Sequence, residues 1–569
     1  MQLTKEQEFI VRSTGDLRIN AVAGSGKTTT VIAYAGQKSS SCKILYLAFN
    51  KSVKLEARRR FEEQGLTNVR VETAHSLAFR HIIPGYGYRL ASNGYSIFDI
   101  AQLLEIESYG EKHQEYVIAS HVQRFMTYFC NSAASKVREL DYASVVSDSK
   151  ARQFVINYYD YIEKKTRRLL ARMDRGEVDI IHDFYLKKFQ LSQPALPFDC
   201  ILFDEGQDAS AAMLDIFRRQ RAEKVIVGDT HQQIYGWRYA VNSLEKMEVP
   251  SRQLTTSFRF GQEIANLAMY VLSWKGMIMD YQPQQITGSG KSGEVETKAV
   301  IGRTNLGLLL HAIEQVTDED PVASLYFEGN INSYTYAEDG ASLYDVLSLY
   351  NGYHDKIRDR LIRQMRSIGE LEEYVEKTED AQLKMMLEIV MEYGNEIPGI
   401  IQTIKDLHVE DGQREKAELI FSTVHKSKGM EYDRVQLIED FINEQSVRRL
   451  AEDKEQDDRE INKMIEEINL LYVAVTRARS MLLIPESLVP EDFRPSTDVI
   501  ILRKEASDEE LDEDKQPLDY REPARQINLS EIMEDLPALG EKTEKAYSVE
   551  EVRKRHRSAY KSWTQEEET

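Results

Sequence analysis

Lys27 follows Gly24-Ser25-Gly26 and precedes Thr28-Thr29-Thr30, a grouping suited to holding a polyphosphate. Such a loop folds its backbone around an anion, and its N–H groups and those of the next helix point inward. Lys27 adds a mobile positive charge, and Thr28 offers a hydroxyl to a Mg²⁺ ion. Ala23, Gly24, Ser25, Gly26, Lys27, Thr28 and Thr29 are therefore the candidate contacts for a nucleoside triphosphate. The strict pattern wants glycine where Ala21 stands.

A carboxylate pair lies far downstream. Asp204-Glu205-Gly206-Gln207-Asp208 follows the apolar run that ends at Phe203. Open α/β sheets place ligands at the C-terminal ends of their strands. Asp204 can hold the metal, and Glu205 can orient or deprotonate an attacking water. A solvated acidic turn is the alternative for these residues, and a chance helix start is the alternative for the loop.

Two such segments need a scaffold that joins them. The strand-like runs are Ile44 to Phe49, Cys200 to Phe203, Lys224 to Val227, Val295 to Ile301, Leu419 to Phe421, Val435 to Ile438 and Met481 to Ile484. Helix-like segments separate them, which is the pattern of an α/β protein. At 569 residues the chain is too long for one core, and three to four domains or subdomains are expected. Lys27 and Asp204 lie further apart than one α/β domain requires. Residues 91–190 are thus predicted to be a helical insertion, with Phe154, Val155, Tyr158, Tyr159 and Ile162 as one helix face. A second polar, helix-rich stretch is expected over residues 325–412. The Gly288-Ser289-Gly290-Lys291-Ser292-Gly293 run is expected to be a flexible loop. Gly206 is expected to loosen its turn.

Hydrophobic residues make up 42% and charged residues 29%, the balance of a soluble globular enzyme. No apolar run is long enough to span a bilayer, and the N-terminus lacks a signal-peptide shape, so no membrane partner is expected. Cys42, Cys130 and Cys200 are scattered, which suits a reducing compartment and offers no zinc or iron–sulfur spacing. The net charge of −21 is concentrated towards the C-terminus. Residues 489–569 are expected to be an acidic, solvated tail, a candidate contact for a protein partner. An acidic total does not exclude a local nucleic-acid groove.

Further segments, in order, complete a family pattern. Leu3-Thr4-Lys5-Glu6-Gln7, Leu47-Ala48-Phe49-Asn50-Lys51 and Thr73-Ala74-His75-Ser76 fall in the first half of the chain. Val227 to Arg238, Thr256-Ser257-Phe258-Arg259, Thr423 to Glu431 and Leu471 to Arg479 follow. With the loop and the carboxylates, they resemble superfamily-one DNA helicases of the UvrD/Rep type, and within them the eukaryotic F-box DNA helicases without an F-box. The resemblance implies two RecA-like P-loop motor domains in tandem, each with a mostly helical insertion. The first would take residues 1–90 and 191–252, the second residues 253–324 and 413–488.

The same resemblance assigns roles. Gln7 would read adenine and Phe258 would stack on it. Gln232 would sense the γ-phosphate, Arg259 and Arg477 would act as arginine fingers, and Glu431 would meet the nucleotide sugar. Phe49, Asn50, His75, Tyr235, Trp237, Arg238 and His425 would contact DNA. Core packing is the alternative for the two aromatics Tyr235 and Trp237, structural hydrogen bonding for the histidines, and surface ion pairing for the arginines. The implied activity is an ATP- and Mg²⁺-dependent helicase or translocase on single-stranded DNA and on junctions with single-stranded tails. Polarity would be 3′ to 5′, and the work would lie in repair or recombination. A protein-stripping translocase and an ATP-gated DNA-binding subunit are the alternatives, the first because the second insertion is short. The setting would be cytoplasmic in a bacterium or phage and nuclear in a eukaryote.

Overall fold

The computed structural model describes residues 3–503 except 92–93, 108–112, 147, 237–238, 291–292, 294, 318–321, 330, 332–340, 379, 454–457 and 491–492. Trp237, Arg238 and the tail beyond residue 503 thus lie outside the described residues.

Six strands form the first sheet: β1 (Leu17–Ala21), β2 (Ile44–Ala48), β3 (Val69–Thr73), β4 (Cys200–Phe203), β5 (Glu223–Gly228) and β6 (Ser251–Leu254). Their order is β3-β2-β4-β5-β1-β6, and every pair is parallel. Parallel strands are covered on both faces and so read as continuous apolar runs. The run Ile44-Leu45-Tyr46-Leu47-Ala48 is buried at every position, as is Cys200-Ile201-Leu202-Phe203. A short parallel pair, β7 (Thr256–Ser257) and β8 (Thr287–Gly288), follows.

The second sheet repeats the plan. It contains β9 (Lys298–Gly302), β10 (Leu325–Phe327), β11 (Leu419–Thr423), β12 (Tyr432–Leu437), β13 (Ala478–Pro485) and β14 (Val499–Leu502). The order is β10-β11-β9-β12-β13-β14, again all parallel. The fold is thus two parallel α/β sheets in tandem.

Helices fill the long intervals. Between β3 and β4 run helices Ala74–Tyr86, Ile97–Leu104, Gln114–Asn131, Ser149–Asn157, Tyr159–Asp174 and His182–Leu191. The single face expected across Phe154 to Ile162 is instead shared by two helices that meet at Tyr158, whose φ of −115° and ψ of 17° leave the helical well. Between β10 and β11 run helices Leu343–Tyr350, Ile368–Thr378, Ala381–Tyr393 and Ile397–Leu407. The two helical sets touch. Tyr116 donates to Gln364 Oε1 at 2.6 Å, and His113 Nε2 lies 3.1 Å from Glu370.

Three expected edges move. Leu325–Phe327, expected inside the second helical stretch, pairs with β11 as an edge strand of the second sheet. Val499–Leu502, expected in the tail, pairs with β13. Ser251–Leu254 carries the first sheet two residues past its expected end at 252. Short edge strands give little periodic signal, because few positions alternate. The Gly-Ser-Gly run also differs from the expected flexible loop. Ser289 N donates to Ser257 O at 2.8 Å and Gly290 N to Phe260 O at 2.9 Å, so the segment is strapped along Ser257–Phe260. Among the described residues, no helix is long and apolar enough to cross a membrane.

Candidate nucleotide cleft between the two sheets

β1 ends at Ala21, and the chain turns through Val22–Gly26 into the helix Lys27–Gly36. Gly24 and Gly26 adopt positive φ, at 72° and 76°, which only glycine takes without strain. Ala21 is extended strand, so the missing glycine there does no harm. Gly26 occupies the N-cap and supplies no side-chain cap, which leaves the first-turn N–H groups for an anion. Ser25 Oγ is buried and has no hydrogen-bond partner among the described residues. A donor buried without a partner is costly, and a phosphate oxygen would satisfy it. The loop therefore fits a polyphosphate.

Gln7 closes one side. Its Oε1 accepts from Thr4 N at 3.0 Å, and its Nε2 donates to Ser25 O at 3.3 Å. The Phe258 ring, 43% exposed, lies 3.9 Å from where a Cβ on Gly26 would sit. An aromatic face and a fixed amide thus border the loop together.

The carboxylates enter from β4. Lys27 Nζ sits 2.9 Å from Glu205 Oε1. Tyr46, from β2, donates its hydroxyl to Asp204 Oδ2, and Glu205 N donates to Asp204 Oδ1 at 3.0 Å. Burial, with the adjacent Glu205 charge, pushes the Asp204 carboxyl up. Burial acts on Glu205 too, but the ammonium groups of Lys27 and Lys428 outweigh it and hold Glu205 ionised. One carboxyl is thus held as an anion, while at its neighbour the Lys27 charge is outweighed by burial and by Glu205. Asp204 and Thr28 would hold a Mg²⁺ ion, which would supply further positive charge and polarise a terminal phosphate. Gly206 does not loosen this turn as expected. A Cβ there would lie 2.5 Å from Ile226 Cγ1, so glycine lets the turn seat flush on β5.

The other wall comes from the second half. Phe258 N donates to Gly24 O at 2.9 Å, and Arg259 Cβ lies 2.6 Å from an ideal Gly24 Cβ. Arg259 Nε donates to Glu431 at 2.8 Å and Nη1 to Thr476 O at 3.0 Å. Arg477 is buried, and its guanidinium donates to Val473 O, Met430 O and Thr476 Oγ1. Burial and the neighbouring Arg259 charge pull Arg477 down to about 9, against attraction from Glu205 and Asp229. Gln232 is buried and donates from Nε2 to Asp229 at 2.7 Å.

A second cluster lies where the loop after β5 leaves the cleft. Phe49 and Tyr235 stack with ring centres 5.5 Å apart and planes 22° apart. The Tyr235 hydroxyl donates to His425 O at 3.2 Å, and His425 Nε2 lies 3.1 Å from Ile234 O. Burial and the Arg303 charge lower His425 to about 4, so it is neutral at pH 7. Asn50 instead caps the helix Lys51–Glu63, accepting from Val53 N at 2.9 Å. His75 faces the helical insertion, with Nε2 3.6 Å from Asp183 and its ring edge-on to Tyr185.

Several cleft residues received no role of their own from the sequence. Lys428 Nζ reaches Asp208 and the Gln232 carbonyl and lies 4.9 Å from the Tyr235 ring centre. Tyr46 was readable only as an apolar strand position, although a buried tyrosine hydroxyl requires a partner. Asp229 and Tyr472 meet across 243 positions at 3.0 Å.

The chain is similar to known helicases. Residues 3–248 match the UvrD/REP helicase N-terminal domain. The chain is 29% identical over 525 residues to F-box DNA helicase 1 of Gallus gallus, covering 86% of this chain and 49% of that protein. It is 29% identical over 541 residues to F-box DNA helicase protein 1 of Schizosaccharomyces pombe, covering 85% and 58%. DNA helicase II of Haemophilus influenzae is 24% identical over 291 residues, covering 46% and 39%. The chain spans about half the length of the F-box relatives it matches.

Proposed function

We propose, from the match of residues 3–248 to the UvrD/REP helicase N-terminal domain, that the chain is a UvrD-like, ATP- and Mg²⁺-dependent motor on single-stranded DNA. It steps 3′ to 5′ and separates strands at tailed duplexes and junctions during repair or recombination.

The observation that supports this most is the composite wall of the cleft. Lys27, Asp204 and Glu205 stand on the first sheet, and Arg259 is brought against Gly24 from the chain beyond it. Phosphoryl transfer depends on positioning and charge stabilisation, which such an arrangement provides. A site completed by two bodies closes when its ligand binds and opens when the ligand leaves. The Phe49–Tyr235 stack offers aromatic faces that hold bases without reading their identity. Gln232 and Tyr235 share one short loop, so the nucleotide and the strand would sit at its two ends.

The test compares ATP turnover with single-stranded DNA, duplex DNA and RNA, then unwinding of duplexes tailed at either end. Stimulation by single-stranded DNA and opening of the 3′-tailed duplex are expected. Turnover indifferent to DNA would refute the motor, and opening of only the 5′-tailed substrate would refute the polarity.

A further inference from the structure

One helix of the second half grips nearly the whole loop that follows β5. In the helix Asp458–Val475, positions 466, 469 and 472 recur every three residues and so share one stripe. Glu466 Oε1 accepts from Gly236 N at 3.0 Å. Asn469 Nδ2 donates to Gln233 O at 2.8 Å. The Tyr472 hydroxyl donates to Asp229 Oδ2 at 3.0 Å and lies 3.5 Å from Ala23 N, in the phosphate loop. A Cβ on Gly236 would fall 2.5 Å from Glu466 Oε2, so any larger residue there would push the Glu466 carboxylate aside.

Lys275 locks the middle of the stripe. It belongs to the short turn Trp274–Met277 of the second half and is buried. Its Nζ lies 2.6 Å from Asn469 Oδ1 and 2.9 Å from His231 Nδ1. Burial lowers Lys275 to about 7; in its ammonium form it only donates, so His231 then accepts at Nδ1 and carries its proton on Nε2. Burial and the Lys275 charge keep that imidazole neutral. The bond to Lys275 also fixes the Asn469 amide so that its NH₂ faces Gln233 O. Neither Lys275 nor Glu466 touches Lys27, Asp204, Glu205 or Arg259 through any of these bonds.

We propose that Lys275 and Glu466 are positioning residues that clamp the Asp229–Gly236 loop to the second half, and that this clamp carries strand occupancy at Tyr235 to the γ-phosphate end at Gln232. The inference rests on the motor reading above. An unclamped loop leaves each end able to bind its own ligand but severs the message between them. The clamp therefore sets how far DNA accelerates turnover, not turnover alone.

The experiment uses the whole chain with Lys275→Met and Glu466→Ala, which act at separate points of the loop. The readout is the factor by which poly-dT accelerates ATP turnover, measured beside unstimulated turnover, the dT-oligomer Kd and thermal melting. The factor is expected to fall tenfold or more in each variant, while unstimulated turnover and Kd stay within about threefold of wild type. A merely structural role would lower all of these together. A wild-type factor in both variants overturns the clamp while leaving the motor reading intact. Absence of stimulation in the wild-type chain itself overturns the motor reading and the clamp with it. If Lys275→Met melts below the assay temperature, Glu466→Ala decides alone: a fall supports the clamp and a wild-type factor overturns it.

Discussion

The Lys27 ammonium lies 2.9 Å from Glu205 Oε1, so the cation expected to meet the phosphates is held by the carboxylate expected to act on water. A ligand entering the loop must share or break this pair. Replacing Glu205 with glutamine removes a negative charge beside the incoming phosphates and frees Lys27. Glu205→Gln is therefore expected to bind ATP as tightly as wild type or tighter, while turnover falls by about 10²–10⁴, the usual worth of a general base. Lys27→Ala is expected to lose binding and turnover together. Isothermal titration beside steady-state ATPase separates the two, and a Glu205→Gln enzyme with weakened ATP binding would contradict the pair's role.

Arg259 holds Glu431 and the Thr476 carbonyl, and its backbone adjoins Gly24. Its guanidinium is thus poised at the cleft by the second half. Arg259→Ala is expected to lower DNA-stimulated ATPase by about 10³–10⁵ with single-stranded DNA binding retained. Rapid-quench turnover and fluorescence anisotropy measure the two quantities. A loss of less than tenfold would remove Arg259 from the chemistry.

The Gly288–Gly290 strap gives a prediction that the composition of the segment alone would not. A Cβ on Gly290 would lie 2.5 Å from Arg259 C and Phe260 N, and one on Gly288 would lie 2.3 Å from Gly261 O. Gly290→Ala must therefore displace the backbone carrying Arg259. Overpacking of this kind destabilises by about 1–3 kcal/mol, and ATPase should fall although no ligand contact is altered. Unchanged melting and turnover would show that the strap lifts away freely.

The strap also marks the border of what the chain discloses unaided. Local structure was legible: the turn at Gly24–Thr29, the place of Asp204-Glu205 at a strand end and the buried runs Ile44–Ala48 and Cys200–Phe203 all follow from short-range pattern. The family order also implied Arg259 at the nucleotide, and the structure brings its Cβ beside Gly24. Positions whose meaning depends on a distant neighbour were not legible. Gly206 reads as a weak point until Ile226 is placed against it, and Gly290 reads as slack until Phe260 is. Asn50 looks like a ligand contact, whereas the helix it starts needs a cap. Edge strands such as Leu325–Phe327 escape because three residues cannot display a period.

His425 gives a pH dependence with a definite sign. Burial and Arg303 lower it to about 4, below the ordinary 6.5. As pH falls below 6.5 the unfolded chain takes up this proton and the folded chain does not, so stability is full above 6.5 and drains away towards pH 4. One such proton contributes roughly 1.4 kcal/mol per pH unit. His425→Gln, which keeps a donor for Ile234 O, is expected to lose less stability than wild type between pH 6.5 and 4. Urea denaturation at both pH values checks this, and equal losses would show that His425 titrates normally in the folded chain.

Tyr235 has two separable parts, a ring stacked on Phe49 and a hydroxyl bound to His425 O. If the ring stacks on a base, Tyr235→Ala is expected to weaken single-stranded DNA binding by about 1–3 kcal/mol, equally for poly-dT and mixed sequence, because every base has a π-face. Tyr235→Phe keeps the ring and loses only the bond to the second half. It is expected to bind DNA like wild type while displacing fewer strands per ATP, since the hydroxyl is one of the ties between the loop and the body that moves. Anisotropy and a coupled strand-displacement assay read the two effects separately. Wild-type affinity in Tyr235→Ala would move the DNA path away from this stack, and a wild-type displacement ratio in Tyr235→Phe would reduce the hydroxyl to a structural bond.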